Sequence, residues 1–183
     1  MRKIIAILLL AVIGAGTWQG WKAWNKRSLS QHALRTAVLP AVESVPCPVW
    51  FPSQDGMNLS EEAATRPKTD DPGLRLRGVI EALHRGPAKA SSLRLFPDDS
   101  SPHGVFLSAD GTAYIDYPKS LFERPMGLRE EFLFIRALGK TLLRNCPDVK
   151  SFVLLVDGAP RDFISLHMPA HGKYILPASQ QKK

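Results

Sequence analysis

Cysteine is scarce in this sequence, with two residues in 183, and two thiols cannot by themselves supply the four ligands of a structural zinc site. No cysteine follows the N-terminal apolar run before Cys47, so a lipid-attachment signal of the lipoprotein kind is missing as well. Acidic residues are absent from positions 1–27, which hold Arg2, Lys3, Lys22, Lys26 and Arg27. The whole chain carries 24 basic and 17 acidic residues, a net charge of +7. With those five set aside the remaining basic residues nearly balance the acids, and Lys182 and Lys183 supply the excess. The part able to fold as a domain is therefore close to neutral. That argues against a nucleic-acid partner, which needs a basic face on the domain itself.

The signatures of catalysis are equally thin. No serine lies in a Gly-x-Ser-x-Gly turn, the usual nucleophile elbow. No His-Glu-x-x-His run is present. His167 and His171 stand four apart, but Pro169 between them opposes the helix that would aim both rings at one metal. The Asp-Gly pairs at 55, 110 and 157 lack the spaced carboxylates of a calcium loop and read as turns. Cys146 and His167 could form a thiol–base pair, yet an exported thiol with a partner cysteine is better suited to oxidation. In "EALHRGPAKASSLRLFPDD", Gly86 follows a helix, whereas phosphate loops place glycines before one, where free N–H groups point at the anion. His84 and Arg85 there suit the negative end of a helix dipole, and Gly86-Pro87 stops the helix. These absences exclude a cofactor or metal reading and predict a protein that is not an enzyme.

Turning to what is present, Ile4 to Trp21 contains no charge over 18 positions. At about 1.5 Å per residue this run nearly crosses a hydrocarbon core of roughly 30 Å. Arg2 and Lys3 keep the N-terminus cytoplasmic, and Trp18, Trp21 and Trp24 suit the far interface. Residues 1–24 are therefore expected to be a transmembrane anchor or, alternatively, a cleaved signal peptide with Gly14 and Gly16 before the cut. Residues 25–45 are expected to be a tether, 46–177 the domain and 178–183 a polar basic tail.

Within the domain, "PVWFPS" predicts an opening strand, and a polar stretch follows with one weak strand near Met57–Leu59. Asp70 or Asp71 can cap a helix with Pro72 in its first turn, burying Leu76, Val79, Ile80 and Leu83. "GVFLSADGTAYIDY" predicts a hairpin turning tightly at Asp110-Gly111. A helix from about Gly127 to Asn145 is expected to bury Leu128, Phe132, Ile135, Leu138 and Leu142. "KSFVLLVDG" predicts a core strand, and "FISLHM" a last edge strand. The fold class is α+β: a small sheet packed against two helices, after an N-terminal transmembrane helix or signal peptide. Cys47 and Cys146 are either joined by a disulfide or two buried free thiols. Arg129, Arg136, Lys140 and Arg144, spaced 7, 4 and 4, make the one ordered single-sign row. Such a row is ordinarily a solvated helix face, and here it is the candidate partner-binding face.

Taken together, "VWFPSQDGMNL", "VIEALHRGP", "ADGTAYIDY" and above all "TLLRNCPDVKSFVLLVDG" resemble the GerMN domain, first named from spore-germination proteins. The last run carries Thr141 and Leu142 at a helix end, then Pro147, Val149 and the strand into Asp157-Gly158. The resemblance spans about Pro46 to Leu176. It implies a non-catalytic extracytoplasmic domain; together with the N-terminal apolar run, the chain is expected to be anchored in the inner membrane and face the periplasm, or to be periplasmic or secreted after signal cleavage. Expected partners are envelope proteins or further copies of the chain, in assembly or scaffolding, since related ring-building modules pack side by side. The alternatives are a periplasmic module binding cell-wall glycan or peptide and, third, an envelope hydrolase.

Overall fold

The structure, a computed structural model, describes residues 43–97, 100–163, 165–170 and 172–177. The expected anchor at 1–24, nearly all of the tether and the tail at 178–183 lie outside the described residues. Among the described residues no helix is long and apolar enough to cross a membrane.

The chain opens with β1 (Ser44–Pro52), which already includes Ser44 and Val45 of the expected tether. Cys47, Val49 and Phe51 alternate onto its buried face. β1 pairs antiparallel with β2 (Leu59–Pro67), Cys47 opposite Ala64 and Phe51 opposite Ser60, as a separate two-stranded sheet. The weak strand expected near Met57–Leu59 is thus nine residues long and lies further along the chain. "LSEEAATRP" escapes notice because its one fully buried side chain is Glu62, a charge where a strand pattern calls for an apolar residue. Prolines 46, 48 and 52 suit a strand paired on one side. The other edge of β1 is closed by side chains, Trp50 N–H donating to Thr141 Oγ1 at 3.1 Å and Asn145 Nδ2 to the Pro48 carbonyl at 2.7 Å.

α1 (Pro72–His84) forms as its sequence predicts. Asp71 caps it, accepting from the Leu74 N–H at 2.7 Å, and Leu76, Val79, Ile80 and Leu83 are fully buried. The five-stranded sheet has the order β3 (Gly104–Leu107), β4 (Thr112–Tyr117), β5 (Ser151–Val156), β6 (Ala159–Pro160), with β7 (Tyr174–Ile175) also on β5. The β3–β4 hairpin turns over four residues rather than two, because Ser108 Oγ and Asp110 Oδ1 both take the Thr112 N–H and hold an open loop. Gly111 in that loop has φ +85, and a Cβ there would stand 2.9 Å from the Asp148 carbonyl, so both conformation and space call for glycine.

β4 and β5 are parallel, Thr112 opposite Ser151, and the crossover between them carries α2 (Leu128–Asn145). The helix ends are as expected, and so is the burial of Leu138 and Leu142, with Ile135 partly buried against the core; the expected stripe fails in the first turns. Glu131, Phe134, Ala137, Leu138, Thr141 and Leu142 face inward, while Leu128 and Phe132 are 57% and 44% exposed. The inward register runs 131, 134, 138, 141 and shares Leu138 with the expected stripe; its other members were hidden because Glu131 and Thr141 are polar. The expected strand at "FISLHM" is also absent among the described residues of that segment, where Phe163 and Pro169 form one isolated bridge. The backbone N–H groups there are taken by Glu131 and cannot enter a ladder, and the edge strand on β5 is β7 instead. The helices pack on each other and on the strands: a Cβ at Gly78 would touch Arg66 and Pro67, and one at Gly139 would touch Phe152 and Leu176. Phe96, Tyr117, Phe122 and Phe134 form an aromatic cluster at the centre, with ring centroids 5.3–6.2 Å apart.

Candidate functional site

At 3.6 residues per turn, Arg129, Arg136, Lys140 and Arg144 fall within about 80° of one another around the α2 axis. All four are exposed, and none is in an ion pair among the described residues. They do not stand free in water, however. The Arg136 guanidinium lies 5.3 Å from the Phe132 ring centroid, and the Lys140 ammonium 5.9 Å from that of Trp50. Arg129 rests against Met57 Sδ. Arg144 lines a depression with Trp50, Glu61, Lys140 and Leu143. A second groove of about 310 Å³ runs beside Arg136 and Lys140, over Gly139, Leu143 and Tyr174. The row is thus a face of cations laid on aromatic and thioether groups; the nearby Asp55 carboxyl is held below its ordinary value chiefly by the Ser53 hydroxyl and the Met57 N–H, with a smaller contribution from Arg129.

Glu131, on the inward side of the same helix, is buried. Oε1 accepts from the Leu166 N–H at 2.9 Å and sits 3.1 Å from His167 Nδ1; Oε2 accepts from the N–H groups of His167 at 3.1 Å and Met168 at 2.5 Å. Burial alone would raise its pKa, but these donors together hold the carboxyl below its ordinary value. The sequence marks Glu131 merely as an acid in the first turn, suited to the helix dipole. Its position in the i, i+3, i+7 register of Phe134 and Leu138 was the available signal. Glu62 plays a matching part on β2, where Oε2 accepts from the Ala88 N–H at 2.7 Å and the Lys89 N–H at 3.2 Å and fixes the chain after α1. Its other oxygen, Oε1, has no hydrogen-bond partner among the described residues.

Among the described residues, His84 and His167 have separate partners. His84 stacks on Phe96 at 3.8 Å, and its Nε2 lies 3.2 Å from the buried Tyr117 hydroxyl. Burial, then the charge of Arg94, push its pKa down to about 4, so the ring is a neutral member of the core at neutral pH. A cavity of about 430 Å³ opens beside it, bordered by Arg77, Glu81, Arg85, Ser101 and His103. His167 engages Glu131 rather than Cys146, and His171 lies outside the described residues. Among the described residues no group of three His, Cys, Asp or Glu could hold a metal ion.

Cys47 and Cys146 are free, buried thiols. Burial raises both pKa values, that of Cys146 to about 12 with the neighbouring Cys47 adding to the rise. Thiols held protonated in this way are poor nucleophiles. The fold nonetheless brings the two together from opposite ends of the domain sequence.

The model of the Germane family, described as sporulation and spore germination, matches residues 48–162. No curated protein sequence matches the chain. Among solved structures, a candidate lipoprotein from Clostridium perfringens is 19% identical, with 76% of this chain and 93% of that one covered at a TM-score of 0.53. The tandem GerMN domains of the sporulation protein GerM from Bacillus subtilis are 19% identical over 78% of this chain, also at 0.53, and this chain spans 49% of their length. The first GerMN domain of that protein is 14% identical, covering 72% of this chain and 97% of its own, again at 0.53. At such identities these structures speak for the fold alone.

Proposed function

This chain belongs to the Germane family of sporulation and spore germination, and on that premise we propose that it is a non-catalytic assembly domain at the cell envelope. Residues 1–24 anchor it in the membrane, a tether leads from there to the start of β1 at Ser44, and the domain works outside the cytoplasm. Its partners are envelope proteins or further copies of the chain, met through the outer face of α2. The observation that carries this reading is the row Arg129, Arg136, Lys140 and Arg144, exposed along one face of an otherwise neutral domain. Membrane anchoring makes such a face effective, since confinement raises local concentration and weak contacts then suffice. Charge reversal at Arg136→Glu with Lys140→Glu tests it. The variant should fold and yet fail to complement a deletion strain; full complementation would sink the reading.

The alternative is a module for cell-wall glycan or peptide, favoured by the half-buried Trp50 ring beside Lys140 and Arg144. Sedimentation with purified wall, lost on Trp50→Ala, would put this alternative first.

A further inference from the structure

At the N-terminal end of the basic face, Met57, Leu128, Phe132, Leu133 and Met168, with Arg129 at the rim, enclose a notch of about 580 Å³. Met57 and Leu128 are more than half exposed and Phe132 is 44% exposed, a concentration of large apolar groups that ordinary solvated surface avoids. The helical stripe that buries Leu138 and Leu142 leaves Leu128 and Phe132 outside. The three walls come from separate parts of the chain: the β1–β2 turn, the first turns of α2, and the segment 165–168. Glu131 fixes that last wall by its backbone at Leu166, His167 and Met168, so the notch exists before anything enters it. Preformed walls lower the ordering entropy of binding, and two methionine thioethers let the lining adapt to the shape of the group that enters.

We propose that this notch receives one bulky apolar side chain of a partner protein, presented on a short segment with carboxylates beside it. The choice of occupant rests on charge complementarity. Arg129 stands on the notch wall, Arg136 lies on the Phe132 ring that borders it, and Lys140 follows one turn on. No acidic side chain lines the notch. Asp55, the carboxylate near Arg129, is engaged in its own turn, accepting from Ser53 Oγ and the Met57 N–H. An acidic segment crossing the α2 face thus meets three cations in sequence while its apolar side chain seats among Met57, Leu128 and Phe132. Desolvation by the apolar walls strengthens the ion contacts at the rim.

The proposal rests on the assembly reading above, and the test separates the two. A random peptide library is selected on the full-length chain, and affinities of the recovered peptides are measured. The expected result is enrichment of Leu, Phe or Met flanked by Asp or Glu. Binding should weaken about tenfold on Leu128→Ser, as expected for loss of one seated apolar contact. It should weaken by a similar factor on Arg136→Glu at low salt, and less at high salt. Both positions are exposed, so both variants should fold; Met57→Ser serves as a second probe of the wall. Enriched peptides that bind Leu128→Ser unchanged, or no enrichment of acidic peptides at all, overturn the notch. If such peptides respond to Arg136→Glu alone, the notch fails while the basic face stands. Concentration-dependent self-association that disappears in Leu128→Ser would make the occupant a second copy and likewise overturn the proposal. Peptides that require the notch, combined with full complementation by the Arg136→Glu, Lys140→Glu chain, would sink the assembly reading instead.

Discussion

The two ends of α2 use the same helix differently. At its C-terminal end, Thr141 and Asn145 bond the free edge of β1, and Cys146 is buried next to Cys47. Every inward position there closes the fold. At its N-terminal end the inward position is Glu131, spent on a loop backbone, while Leu128 and Phe132 remain uncovered. Between them Phe134 meets the aromatic cluster that includes His84. One end is committed to stability. The other leaves two large side chains exposed while Glu131 holds the backbone of a neighbouring loop.

The comparison breaks most sharply at the cysteines. If the exported protein joins Cys47 to Cys146, the closed loop of about a hundred residues stabilises the C-terminal end by up to ~4–5 kcal/mol in the chain-entropy model. Non-reducing mass spectrometry should show the loss of two hydrogens, and urea midpoints should fall on reduction. Two alkylatable thiols in exported material would remove the disulfide and leave the hydrogen bonds to β1 as the closure.

At the opposite end, Glu131→Ala strips three backbone N–H groups of their acceptor. We expect a loss of about 3 kcal/mol, because buried donors are left unsatisfied. Glu62→Ala should lose less, about 2 kcal/mol, since only one of its oxygens is engaged. Equal losses in denaturant titrations would contradict the distinction between a clamp that uses both oxygens and one that uses a single oxygen.

The middle of the helix predicts a pH dependence. The folded-state pKa of His84, about 4, lies below the ordinary imidazole value. Only the unfolded chain binds that proton between about pH 6.5 and 4, so stability is complete above this window, falls through it as pH drops, and levels off below. The full drop is roughly 3 kcal/mol. Glu131 and Glu62, with folded values held low, add a further loss at lower pH, beginning near the unfolded carboxylate value of about 4.3. A His84→Gln chain should be flatter between pH 6.5 and 4.5. An unchanged slope would show that the aromatic cluster does not hold the ring neutral.

The smallest expected stability effect is at the surface. Arg136→Glu with Lys140→Glu should change unfolding free energy by less than about 0.5 kcal/mol per site, while removing function. A large stability loss would mean that the cation–ring contacts on Phe132 and Trp50 belong to the fold rather than to a partner face.

Several of these features were legible without coordinates. Asp71-Pro72 and Gly86-Pro87 mark both ends of α1 because caps and stops depend on local backbone chemistry. The Val- and Leu-rich run of β5, broken at Asp157-Gly158, is equally local, and Asp157 and Gly158 do adopt positive φ. The basic row was readable from spacing alone. β2 was not, because its pairing runs through backbone groups of β1 and its buried side chain is a carboxylate. Nor was the notch, since its walls are about 75 and 35 residues from α2 in sequence at Met57 and Met168, distances over which no local pattern carries information.

By itself, then, the amino-acid order determined the family, the α+β class, the limits of both helices and the neutrality of the domain apart from its basic row. Each of these follows from periodicity, capping or charge, which act within a few residues. Only the tertiary structure decided which stripe of α2 faces inward. Two overlapping stripes competed, sharing Leu138 and Leu142, and the winner adds Glu131 and Thr141, whose burial is favourable only because the N–H groups of 166–168 and of Trp50 arrive from elsewhere in the chain to meet them. That choice turned Leu128 and Phe132 outward and so made the notch beside the basic row.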